Sequence, residues 1–188
     1  MSSIMLHSGR LFDLANPEAN EITIEDIAHG LAHTCRYTGQ CNWFYSVAQH
    51  SVLVSQVVPQ PFAFAALMHD AAEAFIGDVS RPLKSLLSEY RTLEERVEQA
   101  IFKRFGLAWP IPEEVRKADD AVMLAEMEVL MPSGMSDLAK VAGMVPAEVK
   151  ILRTSPEVAK MIFMARYADL RVDAAAYRMK KEINHVQR

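Results

Sequence analysis

The run Ala65-Ala66-Leu67-Met68-His69-Asp70-Ala71-Ala72-Glu73 sets an imidazole beside a carboxylate in an otherwise apolar stretch. Burying two ionisable groups side by side is costly unless they are paired or bind a metal. At helical spacing Glu73 falls on the same side as His69 and Asp70, so one face can present all three. Such a pair can also be a satisfied hydrogen bond within a core. Three further residues shift the balance toward chemistry. His50 sits among Val47, Val52, Leu53 and Val54, Asp119 lies in Ala118-Asp119-Asp120-Ala121, and Asp78 follows directly after Gly77. His50, His69, Asp70 and Asp119 make a mixed nitrogen and oxygen ligand set drawn from three helices. That set suits Mn²⁺, Fe²⁺, Co²⁺, Ni²⁺ or Zn²⁺ and suits Ca²⁺ poorly. It holds no thiolate, which argues against a structural zinc.

The elements that must position these residues read as helices. Thr23 can cap a helix through Ile24, Ile27, Ala28 and Leu31, with Glu25 and Asp26 at its positive end. Thr38-Gly39-Gln40-Cys41-Asn42 breaks that stretch. Ser46-Val47-Ala48-Gln49 is a capping box opening a helix through His50 to about Val58. The spacing predicts one buried helix from Phe62 to about Ile76, stopped by Gly77. Residues 78–84 read as a loop with Pro82, followed by a helix from Ser85 to Phe105. Pro112 or Glu113 opens a helix to about Met131. Residues 132–154 read as loop with short helical turns, and Ser155-Pro156-Glu157 opens the last helix, to about Ile183. At the start, Ile4-Met5-Leu6 and Arg10-Leu11-Phe12-Asp13 flank His7-Ser8-Gly9 as a small hairpin. The expectation is a single all-α domain over residues 1–188, a compact bundle of about six or seven helices with a small N-terminal extended element.

Composition narrows the function classes. The chain has 188 residues and a formal net charge of −4. A mildly acidic chain is a poor binder of nucleic-acid polymers, which are held by phosphate neutralisation. No apolar run approaches the length of a membrane span, and the N-terminus lacks the pattern of a signal peptide. The two cysteines, Cys35 and Cys41, are spaced C-x5-C, which is neither a zinc-knuckle nor a thioredoxin spacing. They read as reduced thiols of a cytoplasmic protein.

The order His50, His69-Asp70, Asp119 resembles the HD-domain metal-dependent phosphohydrolase superfamily. The stretches Tyr45-Ser46-Val47-Ala48-Gln49-His50-Ser51, His69 through Lys84, and Arg116-Lys117-Ala118-Asp119 are similar to compact bacterial and prophage 5′-deoxynucleotidases and to phage dATP triphosphohydrolases. The likeness runs from about Ile4 to Met131 and, more loosely, over the last helix. It implies metal ligation by His50, His69, Asp70 and Asp119. It implies that Glu73 positions or deprotonates the attacking water, with Asp78 a second acidic group at the reaction centre. Lys84 matches a phosphate-binding lysine, and Arg36 an arginine that holds phosphate or sugar. Tyr37 stands where many relatives have Trp, and Arg116 occupies the place of a basic residue before the last ligand. Asp119 rather than Asp120 is the ligand because Glu126 and Leu130-Met131 then fall in register. A second ion such as Mg²⁺ stays open, and a homo-oligomer, dimer or larger, is an expectation from the same likeness.

The leading function is hydrolysis of a deoxynucleoside monophosphate to nucleoside and phosphate. The alternative is release of triphosphate from a dATP-like substrate. Hydrolysis of a signalling nucleotide and a non-catalytic helical regulator are weaker readings. Outside this set, His29 and His33 read as packing or surface residues, although His33 could face a substrate pocket. Arg166, Arg171, Arg178, Lys180 and Lys181 read mainly as a solvated face of the last helix.

Overall fold

A computed structural model describes residues 2–132, 143 and 145–186, with side chains described up to residue 172. Strands β1 (Ser3–Met5) and β2 (Leu11–Asp13) pair antiparallel, with Ile4 opposite Phe12. The rest is helical: α1 (Ile24–His33), α2 (Val47–Val57), α3 (Ala63–Met68), α4 (Glu73–Ile76), α5 (Arg81–Lys84), α6 (Ser88–Phe105), α7 (Glu113–Leu130) and α8 (Pro156–Val186). The fold is all-α with a small N-terminal hairpin. Among the described residues no helix is long and apolar enough to cross a membrane.

The two helices that begin the site start where their caps predict. Thr23 Oγ1 accepts from the Asp26 amide at 3.3 Å, and α1 turns Ile24, Ile27, Ala28, Leu31 and Ala32 inward. At α2 the Ser46 hydroxyl accepts from the Gln49 amide, and the Gln49 side chain accepts from the Ser46 amide. This helix buries Val47, Ala48, Val52 and Val54 together with His50, Ser51 and Ser55, so it is enclosed on most of its circumference. It packs against α3, α7 and α8, while α1 packs on α8 and α4.

Two boundaries differ from the expected ones. The helix expected over 62–76 is divided between α3 and α4. Between them the chain continues with tighter bonds: the Ala71 amide donates to the Met68 carbonyl and the Glu73 amide to the Asp70 carbonyl, both three residues back. His69 reinforces the change, its Nδ1 lying 2.8 Å from the Ala66 carbonyl. A turn of this kind alters the angular spacing of the side chains it carries, and it carries the pair that matters most. The helix expected from Ser85 starts at Ser88, because Pro82 opens its own short helix, α5, in the stretch expected to be loop.

The hairpin is fixed through Phe12, fully buried and stacked on Phe75 of α4 with ring centroids 4.2 Å apart. His7, His29 and His33 form a stack at the hairpin edge. Of the basic residues in α8, Arg166 donates to the Ser55 hydroxyl and carbonyl at 3.0 and 2.8 Å, and Arg171 lies over the Phe64 ring. Arg166, half-buried, is spent on packing, whereas Arg171 is exposed and stays on the solvated face as expected. The side chains of Arg178, Lys180 and Lys181 lie outside the described residues.

α1 and α4 meet backbone to backbone at Gly30, where a Cβ would stand 2.6 Å from the Ala74 carbonyl oxygen. The obstacle is main chain, which cannot swing aside. Gly30→Ala is therefore expected to destabilise the protein by about 1–3 kcal/mol, despite the better helix propensity of alanine. Urea denaturation of the two proteins measures the difference.

Candidate metal centre

Two helices, α2 and α7, and the tightened turn between α3 and α4 bring the candidate ligands together. His50, on α2, has no exposed surface, and His69 is nearly as buried. Their Nδ1 atoms are both engaged: His50 with Glu126 Oε1 at 2.8 Å, His69 with the Ala66 carbonyl at 2.8 Å. Each ring therefore presents Nε2 inward, and neither Nε2 has an aligned hydrogen-bond partner. Carboxylate oxygens stand close to both. Asp119 Oδ1 is 3.0 Å from His50 Nε2 and 3.9 Å from His69 Nε2. Asp70 Oδ2 is 3.6 Å from the first and 3.2 Å from the second.

Ligand atoms of His50, His69 and Asp119 lie within 4.8 Å of one another, so this His-His-Asp group could hold a metal ion. Buried imidazole nitrogens without hydrogen bonds, faced by carboxylate oxygens, fit a divalent cation better than they fit a dry core. Asp120 points elsewhere, its Oδ1 3.1 Å from the Arg81 guanidinium, which also takes Asp119 Oδ2 at 3.3 Å. The geometry thus separates the two adjacent aspartates. Arg81 had no assigned role in the sequence, and it neutralises the outer oxygen of Asp119.

Behind His50 lies a second layer. Glu126, fully buried on α7, accepts from Tyr37 Oη at 3.0 Å and lies 3.1 Å from Arg36 Nε. Burial pushes the Glu126 carboxyl up, but Arg36 and His50 pull it down to about 2. Glu126 fixes which His50 nitrogen carries hydrogen, a frequent arrangement behind metal-ligating imidazoles. In the sequence it marks only the register, seven residues beyond Asp119 and two helical turns along the same face, with no role of its own. Burial and Arg36 lower the His50 pKa, yet Glu126 and Asp119 outweigh them and raise it to about 9.

The expected substrate residues are distributed unevenly. Arg36 is buried against Glu126 and lies 3.7 Å from Asp70, and Tyr37 is tied to Glu126, so both serve the layer behind the ligands. Lys84 Nζ is bound to Glu94 and lies 3.8 Å from Glu73 Oε1. Glu73 itself is buried, its Oε2 without a hydrogen-bond partner. Burial, Asp70 and Asp78 together hold its carboxyl well above the usual range. Asp78 is half-buried, and burial raises it against the opposing pull of Arg36. Arg116 stands apart: it lines a cavity of about 430 Å³ with Arg91, Glu94, Glu95 and Glu98. A glutamate-rich wall there favours the arginine over an added anion.

No protein-family model matches the chain. The chain is 39% identical over 171 residues to the uncharacterized protein YfdR of Escherichia coli K12, covering 90% of this chain and 96% of that one. It is 37% identical over 142 residues to the uncharacterized protein RCAP_rcc00048 of Rhodobacter capsulatus, covering 69% and 72%. The chain belongs to the family these two proteins represent.

Since the metal-free His50 holds its proton up to about pH 9, a cation must displace it. Binding at pH 7.5 is expected to release about one proton per ion, and affinity to rise with pH toward 9. Calorimetry in buffers of different ionisation enthalpy counts the protons. Glu126→Gln is expected to weaken metal affinity by about 10–100-fold, read by the same titration.

Proposed function

We propose that the chain is a metal-dependent phosphohydrolase of the HD-domain kind, acting in the cytoplasm on deoxynucleoside monophosphates. The reading is carried by one observation: two buried imidazole nitrogens converge with carboxylate oxygens of two aspartates, beside a buried glutamate whose Oε2 has no hydrogen-bond partner. That is a ligand set with a base beside it. His50, His69 and Asp119 would hold a transition ion such as Mn²⁺, Co²⁺, Fe²⁺, Ni²⁺ or Zn²⁺, with Asp70 adjoining. The ion would supply Lewis-acid polarisation of a phosphoryl oxygen and of water.

The remaining chemistry falls to the chain. Glu73 has a raised affinity for protons, so once ionised it is a stronger base than an exposed carboxylate. It takes the proton as water attacks phosphorus, and the ester bond to the nucleoside 5′ oxygen breaks. Asp78 stands near enough to Glu73 to influence its charge, and its carboxyl, raised by burial, would in its protonated form give a proton to the departing 5′ oxygen. Lys84, between Glu73 and Glu94, offers its ammonium to a phosphate oxygen. Arg36 offsets the carboxylates of Asp70 and Glu126 and keeps the ligand layer compact.

The monophosphate is favoured over the triphosphate by the surroundings of the cations. A triphosphate carries more charge than a monophosphate and needs several cations free to meet it. Lys84 is already paired with Glu94, and Arg116 lies among Glu94, Glu95 and Glu98.

A panel of dNMPs, NMPs and dNTPs with Mn²⁺, Co²⁺ and Mg²⁺ tests this, with phosphate and triphosphate resolved in the products. The expected result is phosphate release from dNMPs. Triphosphate as product would transfer the assignment to the dATP-like alternative, and no turnover at all would remove it. Asp70→Asn should abolish turnover and weaken metal binding. Glu73→Ala should keep the metal while lowering the rate about 10²–10⁴-fold.

A further inference from the structure

The segment that carries Arg36 and Tyr37 into the site is a loop closed at its base. Cys35 pairs with Ser46 in an isolated antiparallel bridge, and the Arg36 amide donates to the Tyr45 carbonyl at 2.9 Å. Inside the loop the Gly39 amide donates to the Arg36 carbonyl and the Gln40 amide to the Tyr37 carbonyl. Tyr37 and Thr38 both hold positive φ, 56° and 51°, a conformation that side chains disfavour and that the loop must enforce. The Asn42 amide fastens the loop to the Leu130 carbonyl at the end of α7.

Two thiols meet across this loop. Cys35 Sγ and Cys41 Sγ are 3.8 Å apart, and both cysteines are free and half-buried. Cys41 Sγ also donates to the Trp43 carbonyl at 3.0 Å and lies 3.8 Å from the Arg36 carbonyl. A disulfide bond is about 2.05 Å long, so less than roughly 2 Å of sulfur movement separates the pair from bonding.

We propose that Cys35 and Cys41 close into a reversible intramolecular disulfide that resets the loop bearing Arg36 and Tyr37. The step needs a two-electron oxidant, and a peroxide supplies it. One thiolate attacks an oxygen and breaks the O–O bond, giving a sulfenic acid and releasing one oxygen as water or alcohol. The second thiol displaces the sulfenic oxygen as water, and the S–S bond forms. A dithiol reductant reverses the result by exchange. Burial and the adjacent Cys35 push the Cys41 thiol up, so its thiolate is scarce at neutral pH and closure quickens as pH rises.

The consequence runs through the residue next to Cys35. Arg36 is held at 3.1 Å from Glu126 and 3.7 Å from Asp70. Drawing the sulfurs together pulls the 35–41 backbone by part of the missing distance. That shift moves a guanidinium whose position balances both carboxylates. The disulfide itself stands independently of the phosphohydrolase reading; its effect on rate rests on that reading.

The test treats the full chain with hydrogen peroxide and follows intact mass, free thiols and Co²⁺ affinity. The expected product is a monomer lighter by two hydrogens, without free thiols, whose Co²⁺ affinity is lower by about tenfold. Dithiothreitol should restore both properties, and Cys35→Ser and Cys41→Ser should each abolish both changes. Persistent thiols, cross-links formed only between chains, or an intramolecular disulfide with unchanged Co²⁺ affinity would overturn the proposal. Hydrolysis of dNMPs should follow the same pattern. If the reduced protein hydrolyses none, the nucleotidase reading fails alone, and the thiol and Co²⁺ measurements still decide the disulfide.

Discussion

Glu126 has no exposed surface and is nevertheless ionised, and the centre of the molecule is organised around that charge. A lone buried carboxylate would shed its charge by taking a proton. Here His50 on α2, Arg36 on the loop after α1 and Tyr37 beside it each supply a hydrogen or a positive charge. The three partners arrive from two elements, α2 and the loop after α1, so the carboxylate ties α7 to both. Losing one partner of such a buried set typically costs about 3–5 kcal/mol, because the charge that remains is uncompensated. The geometry of the ligand layer is thus inherited from the layer behind it. His50 can face Asp119 with Nε2 only because its other nitrogen is occupied.

Much of the ligand layer is legible in the sequence, and the reason is local. His69, Asp70 and Glu73 are close along the chain, and an apolar context around charged residues is visible without a structure. The capping box at Ser46 and Gln49 likewise announces itself within four residues. Glu126 is visible only as a position in register with Asp119, and its role is hidden because it is relational. It meets His50 across 76 residues and Tyr37 across 89, and no periodicity reports such a meeting. The same limit explains Arg36 and Tyr37. The sequence places them at the site, but only packing shows them turned toward the inner carboxylate. Arg116 illustrates the converse: helical spacing sets it one turn before Asp119, yet its surroundings come from α6, with Glu94 and Glu98.

The division of the helix expected over 62–76 follows the same logic. Propensity favours continuous helix through Ala71 and Ala72, and backbone angles at His69 and Ala72 remain helical. What changes is the hydrogen-bond step, from four residues to three. Such a tightened turn is disfavoured on its own and is accepted here because it directs His69 and Asp70 together toward α2 and α7. Local preference yields where several buried side chains must converge.

Phe12 stacks on Phe75, and α1 lies against α8, so parts made early in synthesis are matched to parts made much later. While the chain emerges from a ribosome, the apolar side of Phe12 has no partner until the α4 segment has followed it. The inner face of α1 waits longer, for the stretch after Pro156. All of the candidate ligands, from His50 to Asp119, precede that helix along the chain. Until that stretch has followed, the sides of α1, α2 and α3 that it covers have nothing to pack against, so a chain stopped short of Pro156 would carry its site residues on a scaffold with one apolar flank bare.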